Sequence, residues 1–169
     1  MLLEKASSLF DAGLKRITVS LDSLDQSIFE SIVDTNIKVS KILKGIDHAK
    51  KVGLGVKVNM VVKKGLNEDQ ILPMAEYFKN IGVTLRFIEF MDVGSSNLWS
   101  PDKVISSQNI LNILREKFSI DFVGRDNPSE VSEKWRYSDG RSEFGLISSV
   151  SKPFCSDCSR ARISANGFM

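Results

Sequence analysis

The chain has 169 residues, of which 42% are hydrophobic, and 23 basic residues nearly balance 21 acidic ones for a net charge of +2. This length suits one domain with a sizeable core, and the small net charge provides no bulk field for nucleic acid or a membrane, so we expect neither as a partner. No apolar run approaches a bilayer-spanning length, and the first residues form an amphipathic pattern rather than a signal segment, which predicts a cytoplasmic protein.

Helical and strand patterns alternate along the first 118 residues. The predicted helices cover residues 2–12, 40–52, 67–78 and 106–118, and the predicted strands cover residues 16–21, 56–62 and 83–89. Asn67 and Gln70 resemble an N-cap pair at the start of the third helix. Such alternation is typical of βα units, so we expect an α/β fold, a partial TIM-type parallel (β/α) barrel of about three units, with an unpaired edge at the first strand.

The pattern changes after Phe118. Two short apolar segments, residues 135–137 and 144–147, flank Asp139-Gly140, a dipeptide that favours a hairpin. We therefore predict two domains, a partial barrel over residues 1–118 and a C-terminal antiparallel extension over residues 119–169 that caps the mouth of the sheet.

A cysteine pair near the C-terminus is the most informative motif of the sequence. Cys155 and Cys158 are the only cysteines, and Lys152, Arg160 and Arg162 lie close to them in sequence. Two thiolates at this spacing suit a metal ion or an iron–sulfur cluster, and neighbouring guanidinium groups suit a phosphate. A thioredoxin-like redox pair, half of a zinc site and a pair without a role also fit the spacing.

Cations outside the cysteine segment form a second class of candidates. Lys57 and Asn59 share one face of an otherwise apolar strand, and a lysine inside a barrel is costly unless it contacts an anion. An edge strand with one solvated face explains the same pattern equally well. The same two interpretations, contact with an anion or a solvated face, apply to Arg86 on the next strand.

Two further pairs of residues can be interpreted in more than one way, the arginines after the cysteines and the residues at two strand ends. Arg160 and Arg162 would point the same way from an extended segment, which suits either a polyphosphate or two solvated side chains. Ser20 and Met91 stand at the carboxyl ends of predicted strands, where parallel barrels build their active sites. Position alone does not distinguish these two residues from their neighbours.

Four segments together resemble the GTP 3′,8-cyclase family. Its members are radical S-adenosylmethionine lyases of molybdenum cofactor biosynthesis. The segments are residues 16–25, 55–71, 86–94 and 144–167. The most specific are RFIEFMDVG, which begins at Arg86, and CSDCSRAR, which begins at Cys155. The resemblance covers nearly the whole chain, in order and with matching spacing.

This resemblance implies an incomplete parallel barrel, two [4Fe–4S] clusters and S-adenosylmethionine as cofactors. It also implies conversion of GTP into (8S)-3′,8-cyclo-7,8-dihydroguanosine 5′-triphosphate through a 5′-deoxyadenosyl radical. The matching positions are Cys155 and Cys158 for the C-terminal cluster, Lys57, Arg160, Ala161 and Arg162 for GTP, and Ser20 and Met91 for S-adenosylmethionine. A homodimer and the next enzyme of the molybdopterin pathway are the implied protein partners.

Two motifs of the family are absent from this sequence, the N-terminal Cys-x3-Cys-x2-Cys and a third C-terminal cysteine. We therefore expect a central-to-C-terminal fragment that does not cleave S-adenosylmethionine by itself. Two other interpretations are a different radical S-adenosylmethionine enzyme with an auxiliary cluster and a zinc-binding interaction module. The first interpretation is disfavoured by three cations, Lys57, Arg160 and Arg162. They suit a triphosphate, which a peptide substrate does not carry.

Overall fold

Five helices and six strands make up the part of the chain that the computed structural model describes, residues 2–33, 36–92, 99–127 and 130–152. The helices are α1 (Leu2–Asp11), α2 (Gln26–Ile32), α3 (Val39–Lys51), α4 (Ile71–Asn80) and α5 (Ser107–Arg115). The strands are β1 (Arg16–Ser20), β2 (Gly55–Val62), β3 (Thr84–Glu89), β4 (Ile120–Gly124), β5 (Glu133–Tyr137) and β6 (Glu143–Ile147). Within these ranges, no helix combines the length and apolar character that crossing a bilayer requires.

All six strands form one sheet in the order β1-β2-β3-β6-β5-β4. The first four in that order are parallel neighbours, and β5 pairs antiparallel with both β6 and β4. The parallel part, with its intervening helices, confirms the predicted α/β fold and agrees with a partial TIM-type barrel. β1 forms one edge of this described sheet, as the sequence predicted.

The described part of the C-terminal extension, up to residue 152, continues the sheet, whereas the sequence pattern placed the extension across the mouth. β6 pairs in parallel with β3, with Leu85 opposite Phe144 and Phe87 opposite Leu146. These side chains are buried, and the Phe87 and Phe144 rings pack edge to face with their centroids 6.2 Å apart. Apolar burial therefore draws the hairpin alongside β3. The domain boundary at residue 118 stays a prediction.

Two short elements escaped the sequence analysis. In α2, the Asp25 carboxylate caps the helix by accepting hydrogen bonds from the Ser27 and Ile28 amides at 2.8 and 3.0 Å. The helix has only seven residues and buries Phe29 alone, which leaves a weak periodic signal. In β4, Phe122 and Val123 are both exposed, so alternation is lost at this edge strand.

Side chains of the parallel strands alternate between an apolar face and a polar face. The apolar face packs against the helices. Its buried members include Val58, Met60, Leu85, Phe87, Phe144 and Leu146 from the strands, with Met74, Phe78, Ile110 and Leu114 from α4 and α5. Because the intervening residues must point the other way, this packing determines which side chains the polar face carries.

Asn67 has a different role from the helix cap that the sequence suggested. A 3₁₀ turn over Glu68–Gln70 precedes α4, and the Asn67 side chain makes no capping hydrogen bond. The amide is fully buried, with Nδ2 donating to the carbonyls of Asp22 and Val61 at 2.8 and 2.9 Å. Its Oδ1 accepts from the Lys63 amide at 2.9 Å. Asn67 thus ties the carboxyl end of β1 to that of β2.

We expect Asn67→Ala to lower the free energy of unfolding by about 2–4 kcal/mol, because it leaves several buried backbone groups without partners. Asn112→Ala is the control, since Asn112 is exposed on α5 and its side chain accepts one hydrogen bond, from Gln108 at 3.1 Å; its expected cost is below about 0.5 kcal/mol. Equilibrium urea unfolding measures both changes. Equal unfolding midpoints for the two variants would contradict the bridging role.

Candidate functional site

A cavity of about 560 Å³ opens on the polar face of the sheet. Thr18, Lys57 and Thr84 lie side by side in register on β1, β2 and β3 and line it. Residues of β5, β6 and the segment before β5 complete the lining. This volume is in the range of small-molecule sites.

Positive charge dominates the cavity lining. Four cationic side chains line it, Arg16, Lys57, Arg86 and Lys134, against two carboxylates, Glu130 and Glu143. Both carboxylates have partners, since Glu143 accepts from Arg136 at 2.7 Å and Glu130 lies 3.6 Å from Lys134. An excess of cations in a partly enclosed space suits a ligand with several negative charges.

Arg86 is held in a defined orientation at the centre of this site. Its Nε donates to Asn59 Oδ1 at 2.8 Å, and its Nη2 donates to Thr18 Oγ1 at 3.3 Å. One guanidinium therefore contacts side chains from the neighbouring strand β2 and from β1 beyond it. Fixing the group before a ligand arrives lowers the entropy that binding must remove.

Gly145 makes room for the stem of Arg86. A Cβ atom at Gly145 would lie 3.0 Å from Arg86 Cγ and 2.2 Å from Ser132 Oγ. Ser132 Oγ is buried and has no hydrogen-bond partner among the described residues, although Ser132 lines the cavity. Because Gly145 on β6 has no side chain, Arg86 and Ser132 can approach each other at the cavity wall.

Lys57 lies half-buried on a strand that pairs on both sides. The edge-strand interpretation of this residue is therefore wrong. Burial lowers the pKa of Lys57, and the nearby charges of Arg86 and Lys134 lower it further, against an opposing effect of Glu130. A bound anion would relieve this repulsion.

The remaining predicted site residues divide into two groups. Ser20 is the exposed last residue of β1, and Met91 follows β3 by two residues with 43% of its surface exposed. Both lie at the carboxyl ends of the strands, away from Lys57. Five residues lie outside the described part of the chain: Cys155, Cys158, Arg160, Ala161 and Arg162. Within the described ranges, no group of three or more His, Cys, Asp or Glu side chains could hold a metal ion.

Sequence reasoning missed several residues of the cavity. Arg16 and Thr18 alternate along β1 as Lys57 and Asn59 do along β2, so this signal was present in the sequence. Lys134 carried no such signal. Its place depends on the antiparallel pairing of β5 with β6, which brings it opposite Gly145.

Residues 1–78, which include the parallel strands β1 and β2, match the family model of the Radical SAM superfamily. Residues 83–169 match the model described as Molybdenum Cofactor Synthesis C. This chain belongs to the Molybdenum Cofactor Synthesis C family.

Curated relatives agree with these matches. The GTP 3′,8-cyclases of Staphylococcus aureus (strain bovine RF122 / ET3-1) and Staphylococcus carnosus (strain TM300) are each 49% identical to this chain over 168 residues. Each alignment covers 99% of this chain and 49% of the relative, so the chain spans about half the length of the curated relatives it matches. The resemblance drawn from the sequence motifs is confirmed.

We expect Gly145→Ala to weaken binding of tripolyphosphate about tenfold, because the added methyl group displaces Arg86 from its contacts with Asn59 and Thr18. The stability cost should stay near 1 kcal/mol, since the Ser132 hydroxyl can rotate away.

Gly55→Ala is the matched control on β2, where the nearest atoms to a new Cβ lie at an ordinary 3.5 Å. Isothermal titration calorimetry with tripolyphosphate compares the two variants. Equal affinity of both variants would contradict the role of Gly145 in placing Arg86.

Proposed function

We propose that this chain acts as part of a GTP 3′,8-cyclase, which converts GTP into (8S)-3′,8-cyclo-7,8-dihydroguanosine 5′-triphosphate in molybdenum cofactor biosynthesis. The structural observation that carries the proposal is the cavity whose lining places Lys57 and Arg86 on adjacent strands of the barrel sheet. The identity of 49% to curated GTP 3′,8-cyclases supports it over nearly the whole chain.

In this proposal the cavity binds the triphosphate of GTP. Lys57 and Arg86 donate charge-assisted hydrogen bonds to phosphate oxygens, and Arg16 and Lys134 add to the positive field. Asn59 and Thr18 hold the guanidinium of Arg86 in the plane in which it meets the phosphates. A bound phosphate would also offset the burial and the neighbouring cations that lower the pKa of Lys57 in the free protein.

In the same proposal, the cofactors bind near the carboxyl ends of the parallel strands. Ser20 and Met91 contact S-adenosylmethionine, and Arg160, Ala161 and Arg162 contact GTP from the C-terminal segment. Cys155 and Cys158 are two ligands of a [4Fe–4S] cluster, for which a pair of thiolates is the fitting donor type. When bound, S-adenosylmethionine and the N-terminal cluster of the intact enzyme would supply a 5′-deoxyadenosyl radical for removal of the ribose 3′ hydrogen.

The positions of these residues along the strands support this division of labour. Arg86 precedes the carboxyl end of β3 by three residues, which corresponds to about 10 Å along the strand. A nucleotide anchored by its phosphates near Lys57 and Arg86 can therefore extend its ribose towards Ser20 and Met91. The chain's own contribution is to orient the substrate and to surround it with protein instead of water.

We extend the proposal to the cellular setting that family membership implies. The intact enzyme is a homodimer in the cytoplasm, and its product passes to the next enzyme of the molybdopterin pathway. The cationic cavity favours this assignment over a peptide-modifying enzyme with an auxiliary cluster, because a peptide carries no triphosphate.

The test of the proposal uses the full-length protein, reconstituted anaerobically with iron and sulfide and then supplied with S-adenosylmethionine, GTP and a one-electron reductant such as dithionite. We expect mass spectrometry to detect the cyclised nucleotide from GTP, and Lys57→Met to weaken GTP binding at least about tenfold by loss of a charge-assisted contact. Lys51→Met is the control, because Lys51 is exposed on α3 and pairs with Asp47 at 2.7 Å.

Two results would contradict the proposal. One is the absence of the cyclised product from a protein with both clusters loaded. The other is binding of guanosine as tightly as GTP, since the cavity cations would then have no part in recognition.

A further inference from the structure

Glu89, the last residue of β3, places a fully buried carboxylate on the apolar face of the sheet. Its Oε1 accepts from the Ser107 amide at 2.7 Å and from Ser151 Oγ at 2.5 Å. Its Oε2 accepts from the Val150 and Ser151 amides at 2.8 and 2.7 Å. Each oxygen thus accepts two hydrogen bonds. Together the donors come from two parts of the chain, the start of α5 and the segment after β6.

These hydrogen bonds keep the carboxylate charged in spite of its burial. Burial raises the pKa of Glu89, but the hydrogen bonds from Ser151, Ser107 and Val150 outweigh that effect and hold the pKa below its usual range. The Ser107 amide belongs to the first turn of α5, where a helix favours negative charge. A charge held in this way makes its contacts strong and directional.

The residues that Glu89 binds lie on the route to the cysteine segment. Val150 and Ser151 follow β6, and Cys155 comes four residues after Ser151. Ser148 reinforces the same junction, because its Oγ donates to Ser107 Oγ at 2.8 Å. On its other side, β3 leads within two residues to Met91. One carboxylate therefore links the end of β3, the start of α5 and the turn before the cysteines.

We infer that Glu89 is a positioning residue for the C-terminal cluster, because it fixes Val150 and Ser151, from which the chain continues to Cys155 and Cys158. This inference rests on the proposed function. Glu89 acts through Val150 and Ser151 and touches neither substrate nor cofactor itself.

Substitution by glutamine separates charge from shape at this position. Glutamine fills the same space, but its amide NH₂ would face backbone N–H donors that Oε1 or Oε2 now accepts from, so at least one hydrogen bond is lost and the negative charge is removed. Ser151→Ala is a milder variant that removes only the bond from Ser151 Oγ. Ser149→Ala is the matched control, since Ser149 is not among the donors to Glu89.

The experiment measures the iron content of the anaerobically reconstituted full-length protein, the electron paramagnetic resonance signal of each cluster, and the thermal midpoint. We expect Glu89→Gln to lose about half of the bound iron, with the signal of the C-terminal cluster lost and that of the N-terminal cluster retained. Ser151→Ala should lose part of the same signal, and Ser149→Ala none of it.

The possible outcomes distinguish this inference from the proposed function. If the unchanged protein loads no iron, both fail. If the unchanged protein loads two clusters and Glu89→Gln loads them equally well, the positioning role fails and the proposed function stands. If Glu89→Gln and Ser151→Ala lose both clusters in proportion to their thermal midpoints, Glu89 serves only general stability, and the inference is overturned.

Discussion

The alternation of side chains along β2 and β3 is the constraint on which both the core and the cavity depend. Val58 and Met60 are buried against the helices, so Lys57 and Asn59 must point to the opposite face. A shift of one residue in strand register would exchange the two sets and place a lysine in the core. The energy of the apolar core therefore enforces the position of Lys57 in the cavity.

This arrangement brings like charges close together, which costs stability. Like charges on Lys57, Arg86 and Lys134 repel one another, and the lowered pKa of Lys57 reflects that repulsion after the effect of burial. The sheet tolerates the cluster because Arg86 bonds Asn59 and Thr18 and because Lys134 forms ion pairs with Asp126 and Glu130. Strain of this kind is characteristic of functional sites.

Local patterns predicted three of the four parallel strands and three of the helices close to their observed bounds. The helix over 40–52 and the strand over 56–62 each carry a long periodic or β-branched signal, and the structure has them at Val39–Lys51 and Gly55–Val62. The motif over 155–162 identified the family, although its residues lie outside the described part of the chain.

Features that depend on distant partners could not be predicted in the same way. The pairing of β6 with β3 brings together residues that are about 60 positions apart, and Lys134 enters the cavity only through it. Asn67 looked like a helix cap because its local sequence fits one, yet its amide bonds strands instead. Glu89 looked like an ordinary strand end, since nothing nearby in sequence reveals donors at residues 107, 150 and 151.

A crystal structure of the full-length protein with GTP would test the central claim most directly, because it locates the triphosphate relative to the cationic cavity. The account predicts phosphate oxygens within hydrogen-bond distance of Lys57 Nζ and the Arg86 guanidinium, with the ribose directed towards the carboxyl ends of β1 and β3. A triphosphate bound elsewhere, with Lys57 and Arg86 contacting only solvent and protein, would contradict it.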